Sequence, residues 1–176
     1  PSLLDGNTCL VSDIDNLPLS KKYFVDSVLS FNDDSFIIYR PDACPPNMIS
    51  MMWNAARSST WREIFNIDSE KNLEKNLKKW YTKKYAIEGT AWYTDQIKLR
   101  KYVNKFSKKN KSRIVELDDT ELGFFRFNRN RLEKHFNMIQ ENPNLEFTDF
   151  HMPRPFSEYE ELINKVFDYH RKHIIK

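Results

Sequence analysis

Apolar residues recur at spacings of three and four along several stretches of this chain, and short β-branched or aromatic runs separate them. Residues 20–31 predict a short helix, with Ser20 as cap and Phe24, Val28 and Phe31 as one stripe. Ser58, Ser59 and Thr60 offer caps for a helical piece over 61–65. Residues 69–81 predict an amphipathic helix, with Leu73, Leu77, Trp80 and Tyr81 on one face and lysines on the other. Thr94 caps a second, which carries Leu99, Tyr102, Val103 and Phe106; residues 129–140 carry Leu132, Phe136 and Ile139 at the same period. Ser157 and Glu160 match a capping box that opens a terminal helix, with Leu162, Ile163, Val166 and Phe167 inward.

Strands are expected at 9–11, 35–40 and 112–117, with a short extended segment at 122–127. Residues 47–56 are apolar but broken by Asn54, which suits a strand running into a helix or turn. Residues 89–93 predict a turn and a short extended piece, 32–34 a turn, and 147–155 a loop. Pro41, Pro45 and Pro46 force an irregular connection around Cys44. Strands alternating with helices predict an α/β or mixed α+β fold.

One polar step interrupts this pattern with possible chemistry. Cys9, Leu10 and Val11 run into Ser12, Asp13, Ile14 and Asp15, and the run stops at Pro18. In extended chain, residues two apart share a face, so Asp13 and Asp15 would project together while Ile14 points back into a core. Two carboxylates at the end of a strand suit a hard divalent cation shared with substrate phosphates. The carboxyl ends of strands are also where open α/β sheets collect ligands. The plainer reading is a polar exit into a turn.

Composition narrows the class. The 176 residues suffice for one domain with a core; 30% are charged and 40% hydrophobic, which is globular, and aromatics at 14% make that core bulky. No apolar run approaches the roughly 20 residues of a membrane helix, and no secretory pattern opens the chain. Cys9 and Cys44 form no metal or redox spacing, and such sparse thiols suit a reducing compartment, the cytoplasm. A net charge of +3 does not by itself imply nucleic acid.

Four segments in order resemble the GT-A glycosyltransferases that use nucleotide sugars, in particular the retaining family-eight type. Asp13, Ile14 and Asp15, followed by Leu17 and Pro18, look like the family's D-x-D at the end of a strand. Trp53, Asn54, Ala55 and Ala56 are similar to its F-N-A-G segment, with Ala56 where the pattern has Gly. Asp95, Gln96 and Leu99 look like its D-Q-x-x-L. His151, among Asp149, Pro153 and Pro155, falls where such enzymes carry a late histidine ligand.

The resemblance implies a mixed sheet flanked by helices and a single catalytic domain over 1–176. Twelve residues precede Asp13. A family member has nucleotide-binding strands before that motif, so the chain is expected to be an N-terminally truncated domain. By resemblance, Asp13 and Asp15 hold manganese or magnesium, His151 completes the metal site, Asp95 and Gln96 face the donor sugar, and Asn54 holds a sugar hydroxyl. Arg154 would pair with the diphosphate, because a guanidinium binds phosphate oxygens bidentately; Arg126 and Arg129 are second choices. Trp53, Trp92 and Tyr93 could stack on sugar or base. The expected activity moves a sugar from a nucleoside-diphosphate donor to a glycan, protein or other hydroxyl acceptor with retention and without a protein nucleophile. Inversion would need a carboxylate base, for which Glu63, Asp118, Asp119 and Glu121 are available on paper.

Two rivals remain. Lys98, Arg100, Lys101, Lys105, Lys108, Lys109, Lys111 and Arg113 form a basic run that could meet nucleic-acid phosphates, although a solvated helix face explains it as well and no nucleic-acid partner is expected. A folded but catalytically inactive fragment is the other. A nucleotidyltransferase is disfavoured because Gly6, Gly89 and Gly123, the three glycines, supply no phosphate loop.

Overall fold

A computed structural model describes residues 1–4, 6–81, 91–142 and 145–173. In chain order its elements are β1 (Thr8–Val11), β2 (Asn16–Pro18), α1 (Lys21–Phe24), β3 (Phe36–Ile38), β4 (Asn54–Arg57), α2 (Ser58–Phe65), α3 (Glu70–Trp80), α4 (Thr94–Ser107), β5 (Ile114–Glu116), β6 (Phe125–Asn128), α5 (Leu132–Glu141), β7 (Phe147–His151) and α6 (Glu160–His173). The fold is mixed α/β, with two mixed sheets flanked by helices. The chain divides into two compact units, Pro1–Ser12 with Phe31–Asp118, and Asp13–Ser30 with Asp119–Lys176. Among the described residues no helix is long and apolar enough to cross a membrane.

In the first unit the sheet order is β1-β4-β3-β5, antiparallel except for the parallel pair β3 and β5. Phe36, Ile37 and Ile38 are all buried, as expected of a strand covered on both faces. Phe36 and Ile38 pack with Trp61 and Ile64 of α2 and with Leu99, Val103 and Phe106 of α4. Phe36 meets Trp61 edge-on at 5.0 Å. The residues that set these helix ends are local. Asn66 stops α2 in a left-handed conformation (φ 51°), its N–H reaching the carbonyls of Arg62 and Glu63. The Ser69 hydroxyl caps α3 by accepting from the Asn72 N–H at 3.3 Å.

In the second unit β7 is the middle strand, antiparallel to β2 and parallel to β6. Phe127 of β6 is fully buried and lies edge-on to Phe136 (5.2 Å), Phe147 (4.9 Å) and Phe150 (5.3 Å). Ile163 and Val166 of α6 close the cluster. His135 of α5 is buried beside Phe127, and its Nδ1 accepts the Asn128 N–H at 3.0 Å.

The structure corrects several expectations. Residues 147–155 hold a buried central strand rather than only a loop, because Thr148 and Asp149 hide its apolar character while their polar atoms are satisfied inside. The helix expected over 20–31 stops at Phe24, and one 3-10 turn follows at Asp26–Val28. Residues 47–56 are strand only from Asn54. Leu77 and Tyr81, expected on one face with Leu73 and Trp80, are 51% and 75% exposed; α3 has no buried residue, and Tyr81 lies just past its end. The capping-box residue Ser157 lies in a 3-10 turn, and α6 begins at Glu160. Of the turn expected over 89–93, residues 89 and 90 lie outside the described residues, and 91–93 lead into α4 without a strand of their own.

Phe127→Ala should destabilise the second unit by about 3–5 kcal/mol, the usual cost of truncating a fully buried aromatic. Urea unfolding would show this, whereas Phe156→Ala, at a 44% exposed position, should change little.

Burial, then the neighbouring Arg131 and Lys134, holds His135 below its ordinary pKa, and burial acts the same way on His151 and His170. The native state therefore binds fewer protons than the unfolded chain below the ordinary imidazole value. The stability contributed is present above about pH 6.5 and is lost as pH falls toward the native pKa values. Urea midpoints should decline between about pH 7 and pH 5; a flat profile would contradict the assignment.

Candidate functional site

The stretch that reads as two carboxylates on one face is a turn in the structure. The Asn16 N–H bonds the Asp13 carbonyl at 3.1 Å, which turns the backbone just before β2. The period of two therefore fails. Asp13 is exposed, Ile14 stands 92% exposed rather than in a core, and Asp15 is only 5% exposed.

Asp15 is held by the second sheet. Its carbonyl accepts the Met152 N–H at 2.9 Å, next to the pairing of Asn16 with His151. Asn128 also lies beside His151, at the carboxyl end of the parallel pair β6 and β7. Arg129 follows β6, His151 ends β7, and Arg154 comes three residues later, so all three converge on the start of β2. Asp15 Oδ2 lies 2.9 Å from Arg129 Nη1, 3.2 Å from Arg154 Nε and 3.3 Å from His151 Nε2. Its Oδ1 accepts from Asn16 Nδ2 at 3.3 Å.

A second carboxylate supports the first. Arg126 Nη2 donates to Asn16 Oδ1 at 2.6 Å, while Arg126 Nε lies 3.3 Å from Oδ2 of the fully buried Asp149. The Thr148 hydroxyl donates to Asp149 Oδ1 at 2.6 Å. One network thus runs from Asp149 through Arg126 and Asn16 to Asp15 and its three partners.

Burial alone would raise the Asp15 pKa, but His151, Arg154 and Arg129 reverse that and hold it below the usual carboxylate value. Burial, with Arg126 and Arg129 nearby, lowers the pKa of His151 despite the attraction of Asp15. Below its lowered pKa the charged ring adds to the guanidinium groups around Asp15; above it the neutral ring leaves the Asp15 charge to those guanidinium groups. The ring meets the carboxylate through an Nε2–H donor, since an ionised carboxylate only accepts. Three arginines then face two aspartates, and Arg154, 61% exposed, carries the excess positive charge into solvent.

For a divalent cation, the fit is partial. Asp15 and His151 offer an oxygen and a nitrogen of the types that manganese takes. Among the described residues no group of three His, Cys, Asp or Glu side chains comes together to hold a metal, so further ligands would have to be phosphate oxygens or water.

The other expected site residues belong to the first unit. Asn54 is completely buried on β4, opposite Val11 and Ile38, and its Nδ2 donates to the Ser50 carbonyl at 2.6 Å. A carboxamide so enclosed does not meet a sugar hydroxyl in this arrangement. Asp95 is exposed in the first turn of α4, its Oδ1 accepting the Gln96 N–H at 2.8 Å. Gln96 Oε1 accepts from the Cys44 thiol at 3.2 Å. Trp53 is buried, whereas Trp92 is 44% exposed. Asn16 and Asp149 escaped the sequence reading as site residues, and Arg126 and Arg129 ranked behind Arg154. Their signal was the alternation of polar residues with Phe127 and Phe150, visible only once both segments are read as strands.

No family model, curated protein or solved structure gives a significant match to this chain.

Arg126→Met should cost about 3–5 kcal/mol, because it strands a buried carboxylate. Adding Asp149→Leu should recover much of the loss in a double-mutant cycle of urea stabilities. Strictly additive penalties would mean that the two side chains are not coupled.

Proposed function

We propose that this chain acts as a metal-dependent glycosyltransferase that moves a sugar from a nucleoside-diphosphate sugar to a hydroxyl acceptor on a glycan or protein. One observation carries the reading. Asp15 and His151, from opposite ends of the chain, lie 3.3 Å apart at the carboxyl ends of a parallel strand pair, with two guanidinium groups on the same carboxylate. A D-x-D aspartate beside a late histidine is what the family resemblance requires, and the arginines add the positive charge that a diphosphate needs.

Departure of the diphosphate builds negative charge on its oxygens. Arg154, largely in solvent, can turn N–H donors toward those oxygens, and the half-buried Arg129 can do so from one side. Asp15 fixes the direction of both guanidinium groups, so little reorganisation is needed as charge develops. When bound at Asp15 and His151, manganese or magnesium would supply Lewis-acid screening of the same charge. By the same resemblance, the transfer proceeds with retention.

The test is binding and hydrolysis of a panel of nucleotide sugars with manganese. Asp15→Ala and His151→Ala should each weaken manganese-dependent binding by at least the roughly 10–100-fold that loss of an outer-shell partner of a metal ligand costs. Arg154→Ala, at an exposed position, should weaken diphosphate binding while leaving the urea midpoint unchanged. Binding as in the wild type by both Asp15→Ala and His151→Ala would refute the proposal. Binding without hydrolysis or transfer would identify a folded but inactive portion.

A further inference from the structure

Helices α3 and α4 of the first unit carry lysines that neither the core nor ion pairing uses. Lys98, Lys101, Lys105 and Lys108 are spaced by three, four and three residues, so they share one face of α4, turned away from the buried Leu99, Val103 and Phe106. At the helical rise this stripe is about 15 Å long. A cleft of about 820 Å³ lies along one side, and Lys75 and Lys79 of α3 help to line it. A second, of about 640 Å³, lies along the other. Tyr102, Lys105 and Lys108 line both. Glu63 is the one carboxylate among the residues lining either cleft, and Arg113 Nη1 engages it at 2.9 Å. None of these lysines pairs with a described carboxylate.

The surroundings select among polyanions. The arginine and the aromatic rings that line the two clefts, the usual means of holding nucleobases, already make other contacts. Arg100 Nε donates to the Met48 carbonyl at 3.1 Å, and Arg113 is occupied by Asp34 and Glu63. Phe65, Trp80 and Tyr102 pack on one another at 5.1–5.9 Å. The clefts instead combine lysine ammonium groups with the carboxamides of Asn66, Asn76 and Asn104. Ammonium groups suit carboxylates, sulfates and phosphates alike, whereas carboxamides suit the hydroxyls in which a polysaccharide is rich. A concave track beside a linear row of charge fits a chain rather than a flat bilayer.

We propose that the α3–α4 surface binds a linear acidic polysaccharide bearing carboxylate or sulfate groups. This inference stands on the first unit alone and not on the glycosyl-transfer reading. It is tested by fluorescence anisotropy of the full chain with labelled heparin octasaccharide, labelled oligogalacturonate, a single-stranded oligonucleotide of equal charge and neutral dextran oligosaccharide. At least one acidic oligosaccharide should bind in a salt-dependent manner and more tightly than the oligonucleotide; which of the two it is separates sulfate from carboxylate recognition. K105E/K108E should weaken that binding about tenfold or more, K105R/K108R should retain it, and nucleotide-sugar binding should be unchanged in both. K105Q/K108Q replaces the charge reversal if K105E/K108E unfolds. Oligonucleotide binding as tight as the glycan's, or charge-reversed variants that bind like wild type, would overturn the proposal.

Discussion

The buried carboxylate of Asp15 is the constraint on which the second unit's site depends. An ionised carboxylate removed from water costs several kcal/mol unless charged and hydrogen-bonding partners replace the lost hydration. Asp15 meets that demand with two guanidinium groups, an imidazole and the Asn16 carboxamide. Those partners must come from three chain segments, so the ends of β6 and β7 and the start of β2 are tied to one point. The pairing of Arg126 with Asp149 repeats the arrangement one step deeper, and Asn16 joins the two. Buried pairs of this kind add little net stability, since desolvation offsets attraction. What they fix is position: each side chain has few orientations that leave no charge stranded.

Helices and strands differ in how far their sequences reveal them. The period of α4 was legible because its buried Leu99, Val103 and Phe106 alternate with lysines that must stay wet. The start of α3 was legible from Ser69, whose hydroxyl does what a capping residue does anywhere. Strand β7 was not, because burial on both faces removes alternation and its polar Thr148 and Asp149 are satisfied by each other and by Phe125 and Arg126 of the neighbouring strand. Strand β2 is three residues long and ends at Pro18, too short for any pattern to rise above turn chemistry.

The D-x-D reading shows the same limit at the candidate site. Its inference of two co-directional carboxylates was valid for extended chain and failed because the backbone turns between Asp13 and Asn16. One carboxylate is thereby left in solvent and the other placed inside a ring of cations. The meeting of Asp15 with His151 depends on the antiparallel register of β2 with β7, which no local pattern encodes. That register gives their proximity a physical cause.

The basic residues of the chain thus divide by what they are asked to hold. Arg126, Arg129 and Arg154 surround carboxylates, where planar guanidinium groups offer several donors in fixed directions. Lys101, Lys105 and Lys108 stand exposed along α4, with flexible stems and no described acidic partner. A preorganised cluster favours a compact anion whose charge changes during a reaction, because its dipoles need not move. A row of mobile ammonium groups favours an extended anion whose charges repeat, since each group can find its partner independently. The small net charge of +3 conceals this division, because it counts paired and unpaired cations alike.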